Sequence, residues 1–251
     1  MLTTSFALPI NRSQTSTATF NNPQTGASDS EVDKLVPADT LIVFVGARDL
    51  SGGTLGLAGP GGWSASGTST WIDTLKQRGE TSAFGAGATD FAPWGGQITI
   101  DTFDGASARD WNFDYAAAPS AGQADLYSVL LHELGHVLGY GTSDSWNTHV
   151  VAGSPSVFTG TLSSLAHGGS VNLHTDLGHW AIGTMSSSGG LPQEAAMDPN
   201  ISLGTRKTFT ELDVAGLGDL GWVVVPEPSS IVMSVIAFIA WGLLAVRRAA
   251  A

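Results

Sequence analysis

The stretch from residue 126 to residue 138 constrains the fold of this chain most, because it joins a helical apolar repeat to a pair of histidines. Its apolar side chains recur at helical spacing, at Leu126, Val129, Leu130, Leu134, Val137 and Leu138. Side chains four residues apart lie on one face of a helix, so His132 and His136 point in the same direction. The two imidazoles can therefore bind one metal ion. The alternative is a helix whose two histidines make ordinary hydrogen bonds and hold no metal.

The predicted limits of the helices come from residues that favour turns. Ser120 and Gln123 have the spacing of a capping box, which predicts that the histidine helix begins there. Gly139 and Gly141 can adopt the left-handed conformation found where helices end. A second, shorter helix is expected over residues 211–219, where apolar residues again lie near helical spacing.

Glu133 adds a group that can carry out chemistry next to the histidine pair. Its carboxylate can reach a water molecule at the metal without being a ligand itself. Zinc lowers the pKa of such a water towards neutrality, so Glu133 can take its proton and later deliver it to a leaving amine. The sequence therefore predicts metal-assisted hydrolysis with Glu133 as the general base and then the general acid.

The motif His132-Glu133-x-x-His136-x-x-Gly139 is similar to the signature of the metzincin metallopeptidases. That family normally places a third histidine three residues after the glycine, and this chain has Thr142 there. A threonine hydroxyl is a poor zinc ligand, so the resemblance implies that the third ligand lies elsewhere in the sequence.

The segment that follows suggests where the third ligand lies. Ala196-Met197-Asp198-Pro199 resembles the metzincin Met-turn, and leishmanolysin-like members place their third histidine before that turn. His179 is therefore the expected third zinc ligand. His174, five residues earlier, is one alternative. Asp144, which stands in an aspzincin-like Gly-Thr-x-Asp context, is another.

The resemblance implies an α+β, metzincin-like zinc peptidase domain over residues 35–222. Such a domain has a twisted mixed sheet with an edge strand, an active-site helix, a Met-turn and a C-terminal helix. The β-branched run at residues 41–45 and the alternating run at residues 97–101 predict strands, and the second of these is expected to be the edge strand that aligns substrate. Residues 51–67, rich in glycine, are expected to be an irregular loop, and residues 1–34 a flexible N-terminal segment.

Composition narrows the classes of partner and site. The net charge of -12 and the pI of about 4.6 argue against nucleic acid as a partner. The chain has no cysteine, which excludes disulfides and thiolate ligands to zinc. Four acidic side chains after the second predicted strand could hold a structural Ca²⁺ ion, and a solvated acidic loop is the alternative: Asp101, Asp104, Asp110 and Asp114.

The C-terminal tail differs in character from the rest of the chain. Residues 223–230 form a Pro-rich linker containing a Pro-Glu-Pro motif, and residues 231–246 carry no charge before Arg247-Arg248. This pattern predicts a transmembrane helix over residues 231–248. It resembles the bacterial PEP-CTERM sorting signal, which implies an exosortase-type processing enzyme as a partner. The resemblance also implies anchoring in the inner membrane before processing, and then a place at the cell surface or outside the cell.

Taken together, the sequence predicts an exported zinc-dependent endopeptidase that acts on a protein or peptide substrate. His132, His136 and His179 would hold the zinc ion and Glu133 would act as the base. The alternative function is that of a non-catalytic surface or matrix protein with a structural zinc site. A structural site would be closed by a fourth protein ligand and would have no use for Glu133.

Overall fold

The structure is a computed structural model, and it describes residues 14–37, 40–76 and 94–223. Strands account for 31% of it and helices for 21%, so the fold is mixed and rich in strands. The strands are β1 (Thr15–Asn21), β2 (Ser28–Val32), β3 (Ile42–Arg48), β4 (Gly56–Pro60), β5 (Gly62–Ser66), β6 (Gly95–Asp101), β7 (Trp111–Asn112), β8 (Ala124–Asp125), β9 (Val150–Val151), β10 (Val157–Phe158), β11 (Val171–Asn172), β12 (Met185–Ser188) and β13 (Leu191–Glu194). The helices are α1 (Ser69–Lys76), α2 (Leu126–Val137), α3 (Asp144–Thr148), α4 (Thr161–His167) and α5 (Glu211–Asp219).

A three-stranded sheet lies against α2. Its central strand is β6, with β3 parallel on one side and β4 antiparallel on the other. Ile98 and Ile100 of β6 are buried and share an apolar cluster with Val129 and Val137 of α2. Burial of these aliphatic side chains stabilises the contact and places β4 alongside the helix that carries the histidines.

A second three-stranded sheet covers the other end of the first one. Its order is β2-β1-β5, with both pairings antiparallel. Aromatic rings join the two sheets: Phe20 stacks on Phe44 with 4.2 Å between ring centroids, and Trp94 meets both rings at 5.8 Å. This cluster lies away from the histidine helix, so it supports the sheets and takes no part in the site.

The helix α2 begins later than the sequence predicts. Its N-cap is Asp125, whose carboxylate accepts a hydrogen bond from the backbone N–H of Ser128 at 3.2 Å. The expected capping box at Ser120 is wrong, because the Gln123 side chain instead accepts from the backbone N–H of Ser120 in a turn before the helix. At the other end, α2 stops at Val137.

The C-terminal half packs around aromatic side chains. Trp146 lies at the centre of this cluster, 4.4 Å from Phe158, 5.0 Å from Tyr140 and 5.2 Å from Trp180 between ring centroids. The predicted second helix is confirmed as α5, and Thr210 caps it in a box with Asp213.

Three expectations about strands are wrong. Residues 97–101 form the central strand β6, and the edge strand beside α2 is β4. Residues 51–67 are not an irregular loop, because β4 and β5 form within them. The described part of the predicted flexible segment, residues 14–34, contains the paired strands β1 and β2. Glycine-rich and polar strands carry no apolar alternation, so their sequences do not indicate a sheet.

The predicted fold class also needs correction at the C-terminus. The transmembrane helix expected over residues 231–248 is not found, and no helix of the described ranges is long and apolar enough to cross a membrane. Residues 224–251, which hold most of the Pro-rich linker and all of that segment, lie outside the described part. The predictions of exosortase processing and surface location depend on the same residues and stay predictions.

Candidate metal centre

Three histidine side chains converge at the open face of α2. His132 and His136 come from successive turns of that helix, and His179 comes from a loop more than forty residues further along. The Nε2 atom of His132 lies 3.2 Å from that of His136 and 3.2 Å from that of His179, and the last two are 3.0 Å apart. The three side chains lie close enough to bind one metal ion.

The hydrogen bonds of the other ring nitrogens leave the three Nε2 atoms free to bind a cation. Each Nδ1 donates to an oxygen. His132 donates to the carbonyl of Ala196 at 2.7 Å, and His136 donates to the carbonyl of Tyr140 at 2.8 Å. His179 donates to Oδ2 of Asp176 at 2.9 Å. Those oxygens can only accept, so each neutral ring carries its proton on Nδ1. Three Nε2 lone pairs then face one another, and a cation between them removes the repulsion.

Burial keeps the helix histidines in the neutral form that binds metals. His132 is only 6% exposed, and burial together with the neighbouring His136 holds its pKa well below the usual 6.5. Burial, aided by His179, lowers the pKa of His136 to about 4. At neutral pH both imidazoles are therefore uncharged, which is the protonation state of a metal ligand.

Close backbone packing brings the third histidine to the helix. Gly141, just past the end of α2, has a φ of 65°, and a Cβ atom there would lie 2.5 Å from the Cα of Gly178. On the other side, the Trp146 indole donates to the carbonyl of Leu177 at 2.8 Å. Only a residue without a side chain at position 141 allows the loop and the helix end to approach this closely.

A turn at residues 195–198 supports the site from below. The Met197 side chain is fully buried and packs against Gly135, where any Cβ atom would collide with the Met197 sulfur. The Asp213 carboxylate accepts hydrogen bonds from the backbone N–H groups of Ala196 and Met197 and from the Trp180 indole, at 2.8, 3.2 and 3.0 Å. The predicted Met-turn segment thus lies directly against the histidine helix.

The side chain of Glu133 extends from α2 to the edge strand β4 and lies against Gly56. Its side chain is 6% exposed, and a Cβ atom added to Gly56 would lie 2.5 Å from its Oε1. Burial raises the pKa of Glu133 to about 8. A carboxyl group whose pKa lies close to neutrality can both accept and return a proton.

The histidines open into a cleft of about 960 Å³. One wall is formed by residues 53–58, which include the start of β4, and the other by residues 199–202, after the turn. Val129 lines the cleft together with His132 and Glu133. A cleft with a backbone strand along one wall can accept an extended chain.

The other predicted site residues lie elsewhere. His174 is not in the trio: its Nδ1 lies 2.9 Å from Oδ2 of Asp176, on the far side of the His179 ring. Asp144 is exposed in the first turn of α3 and belongs to no metal-binding group of the described residues.

The four aspartates expected to hold calcium do not form a group of three within the described part of the chain. The Asp101 carboxylate is bonded to Arg109 at 2.5 Å and accepts from the backbone N–H of Leu50. Asp104 accepts from two backbone N–H groups of its own turn. These hydrogen bonds use the carboxylate oxygens that a calcium ion would need.

The sequence interpretation missed three contributors to the site. Asp176 and Asp213 act through hydrogen bonds, and isolated aspartates have no spacing that indicates such a role. Gly56 stands in a glycine-rich stretch that looks like a loop. The nearness of Asp176 to His179, three residues apart, is the only signal that could have been used.

No family model, no curated protein and no solved structure matches this chain.

Proposed function

We propose that this chain is a zinc-dependent endopeptidase, and the convergence of the three Nε2 atoms carries the proposal. Tetrahedral zinc with Zn–N bonds of about 2.0–2.1 Å holds its nitrogen ligands about 3.3–3.4 Å apart. The observed separations of 3.0–3.2 Å are close to that spacing. Neutral imidazoles are also a preferred donor set for zinc, and no thiolate competes in a chain without cysteine.

The arrangement favours a catalytic site over a structural one. Within the described ranges, no fourth histidine, aspartate or glutamate joins the trio, so a position is left for water or substrate. Glu133 lines the same cleft as the three histidines without being part of the trio, and a structural site has no use for a buried carboxylate there. The alternative is a non-catalytic surface protein with a structural zinc site, which would bind zinc and cleave no protein.

The residues of the chain divide the work of peptide hydrolysis. Zinc bound by the three histidines would polarise the scissile carbonyl and lower the pKa of water. Glu133 takes a proton from the attacking water as the new C–O bond forms, and passes it to the amine nitrogen as the C–N bond breaks. The outer edge of β4, which pairs with no other strand among the described residues, would align the substrate as an added strand next to Glu133.

The metzincin resemblance supports the same reaction. The motif from His132 to Gly139 and the turn at Met197 lie against each other as that resemblance implies. The third histidine, however, lies on a loop whose close approach to the helix end requires Gly141. We therefore propose a metzincin-type reaction in which a distant loop supplies the last ligand.

The test is hydrolysis of casein and gelatin by the zinc-loaded chain beside its Glu133→Gln variant. The parent should cleave both proteins and lose activity with a chelator. The variant should bind one zinc ion with unchanged affinity and turn over at least about 100-fold more slowly. Equal activity in the variant would refute the role of Glu133. A folded parent that binds zinc and cleaves nothing would favour the structural alternative.

A further inference from the structure

The loop that carries the third histidine is folded around one carboxylate. Leu173 and Trp180 form a β-bridge at its base, and the backbone N–H of His174 donates to the carbonyl of His179 at 3.0 Å. Asp176 lies at the tip and folds back between the two rings. Its Oδ2 is 2.9 Å from the Nδ1 atoms of both His174 and His179.

The third ligand differs from the other two in the acceptor that orients it. His132 and His136 are already fixed by α2, and their Nδ1 atoms donate to neutral backbone carbonyls. His179 belongs to a loop, and its Nδ1 donates to a charged carboxylate. A charge-assisted hydrogen bond is shorter and stronger than a neutral one, and it makes the opposite ring nitrogen a better donor to a metal.

The carboxylate is itself held in place. Oδ1 of Asp176 accepts from the backbone N–H of Gly178 at 2.9 Å, so both oxygens of the group are engaged. Leu177, between these residues, has a φ of 63°, which a leucine seldom adopts unless its surroundings hold it. The Trp146 indole provides that hold through the Leu177 carbonyl.

We propose that Asp176 is the positioning residue of the metal centre: it fixes the ring of His179 and strengthens it as a ligand, while His174 limits where the carboxylate can lie. The proposal rests on the metal site that the proposed function assigns. His174 contacts Oδ2 without the alignment of a hydrogen bond, and its buried Nδ1 has no other hydrogen-bond partner among the described residues. Its role is therefore secondary to that of Asp176.

His174, Asp176 and His179 also lie close enough together to bind a second metal ion, which is the alternative to the positioning role. That ion would need the Nδ1 atom of His179, which the hydrogen bond to Asp176 already uses. A ring that serves two ions must also lose both of its protons. The positioning role requires no such change, so the geometry favours it.

The experiment compares zinc binding by the full chain with that of three variants. Asp176→Asn removes the charge at nearly constant shape, and Asp176→Glu keeps the charge. Thr175→Ala is the matched control, because Thr175 is the exposed neighbour in the same loop. Affinity is measured by competition with a chromophoric chelator, stoichiometry by metal analysis, and the ligand field by the visible spectrum of the Co²⁺-substituted protein.

Asp176→Asn should bind zinc 10- to 100-fold more weakly than the parent, and the visible spectrum of its Co²⁺ form should be shifted. Without metal, the variant should unfold at the same temperature as the metal-free parent. Asp176→Glu should retain part of the affinity, and Thr175→Ala should match the parent at one ion per chain. If Asp176→Asn does not fold, the zinc affinity and the Co²⁺ spectrum of Asp176→Glu decide instead: weaker binding and a shifted spectrum support the proposal, and parent values overturn it.

Parent-like affinity and spectrum in Asp176→Asn would overturn the proposal. Two ions per chain, with the second lost in His174→Ala, would overturn it in favour of the two-ion arrangement. These readouts do not depend on turnover. A parent that binds zinc but cleaves nothing refutes the peptidase and leaves the positioning role standing, whereas a parent that binds no zinc refutes both.

Discussion

At the scale of single residues, Asp213 links the fold to the metal centre. Its buried carboxylate accepts from the turn at Ala196 and Met197 and from the indole of Trp180, the residue after His179. It also accepts from the backbone N–H and the hydroxyl of Thr210 at the start of α5. Asp213 therefore holds both Ala196, whose carbonyl accepts from His132, and Trp180, which follows His179.

Asp213→Asn should destabilise the protein by about 3 kcal/mol, because the amide places N–H groups against backbone and indole donors in a buried position. Zinc affinity should fall as well, since the turn that orients His132 loses its support. Denaturant unfolding of the metal-free chain measures the first effect, and chelator competition measures the second. Asp144→Asn, at an exposed site in α3, is the control and should change neither. Parent-like stability would show that the turn does not depend on this carboxylate.

Residues of the site differ in how far the sequence predicts them. His132, His136 and Glu133 could be named because the chemistry of a metal site fixes the types and spacing of its residues on one helix. Asp176 and Asp213 could not, because a hydrogen-bond acceptor needs only to be near its donor in space. His179 was preferred to His174 only through the resemblance to leishmanolysin-like proteins, because both histidines stand in one short segment and their spacing does not distinguish them.

At the scale of elements, the strand β4 was the least predictable part of the site. The helices α2 and α5 have apolar repeats long enough to identify them, whereas β4 contains two glycines and a proline among five residues. Its position against α2 explains this composition. The backbone of Gly56 lies on the Glu133 side chain, so a larger residue there would displace that carboxylate.

Gly56→Ala should lower kcat by about 100-fold, because the new methyl group would displace the carboxylate of Glu133 by a large fraction of an ångström or more. Zinc affinity should not change, since Glu133 is not in the histidine trio. Gly59→Ala in the same strand is the matched control, as a Cβ atom there meets nothing closer than 3.9 Å. Equal activity in both variants would mean that β4 does not position Glu133.

The approach of the ligand loop to α2 depends on another glycine, Gly141. Gly141→Ala places a Cβ atom 2.5 Å from the Cα of Gly178 and requires a left-handed alanine, so it should cost about 2–3 kcal/mol and weaken zinc binding. Gly178→Ala meets its nearest atom at 3.6 Å and should be close to neutral. Thermal unfolding and zinc competition on the two variants compare them directly. If Gly178→Ala were the more harmful change, the loop would not pack on the helix end as described.

At the scale of the whole molecule, distant segments are joined by a few buried polar contacts and by no disulfide. Asp125, the N-cap of α2, is bonded to Arg206 with Nη2–Oδ1 at 2.7 Å and Nε–Oδ2 at 3.0 Å. Close by, the Ser128 hydroxyl accepts from the backbone N–H of Lys207 at 2.7 Å. These contacts join the start of the histidine helix to residues 206–207, which follow the cleft wall at residues 199–202.

The Asp125 contact should make stability depend on pH on the acid side. Burial alone would raise the pKa of Asp125, but the hydrogen bonds from Arg206, Ser128 and Asn112 outweigh it and hold the pKa below 3.8. A carboxyl group whose pKa is lowered by folding contributes stability that is fully present above its unfolded value and is lost as the pH falls through the folded one. Asp125→Asn should therefore cost about 2 kcal/mol at neutral pH, and the gap from the parent should narrow below pH 3.8. Denaturant unfolding of both proteins across this range measures the gap. A gap that stays constant down to the lowest pH would show that the charge of Asp125 is not what holds Arg206 against the start of α2.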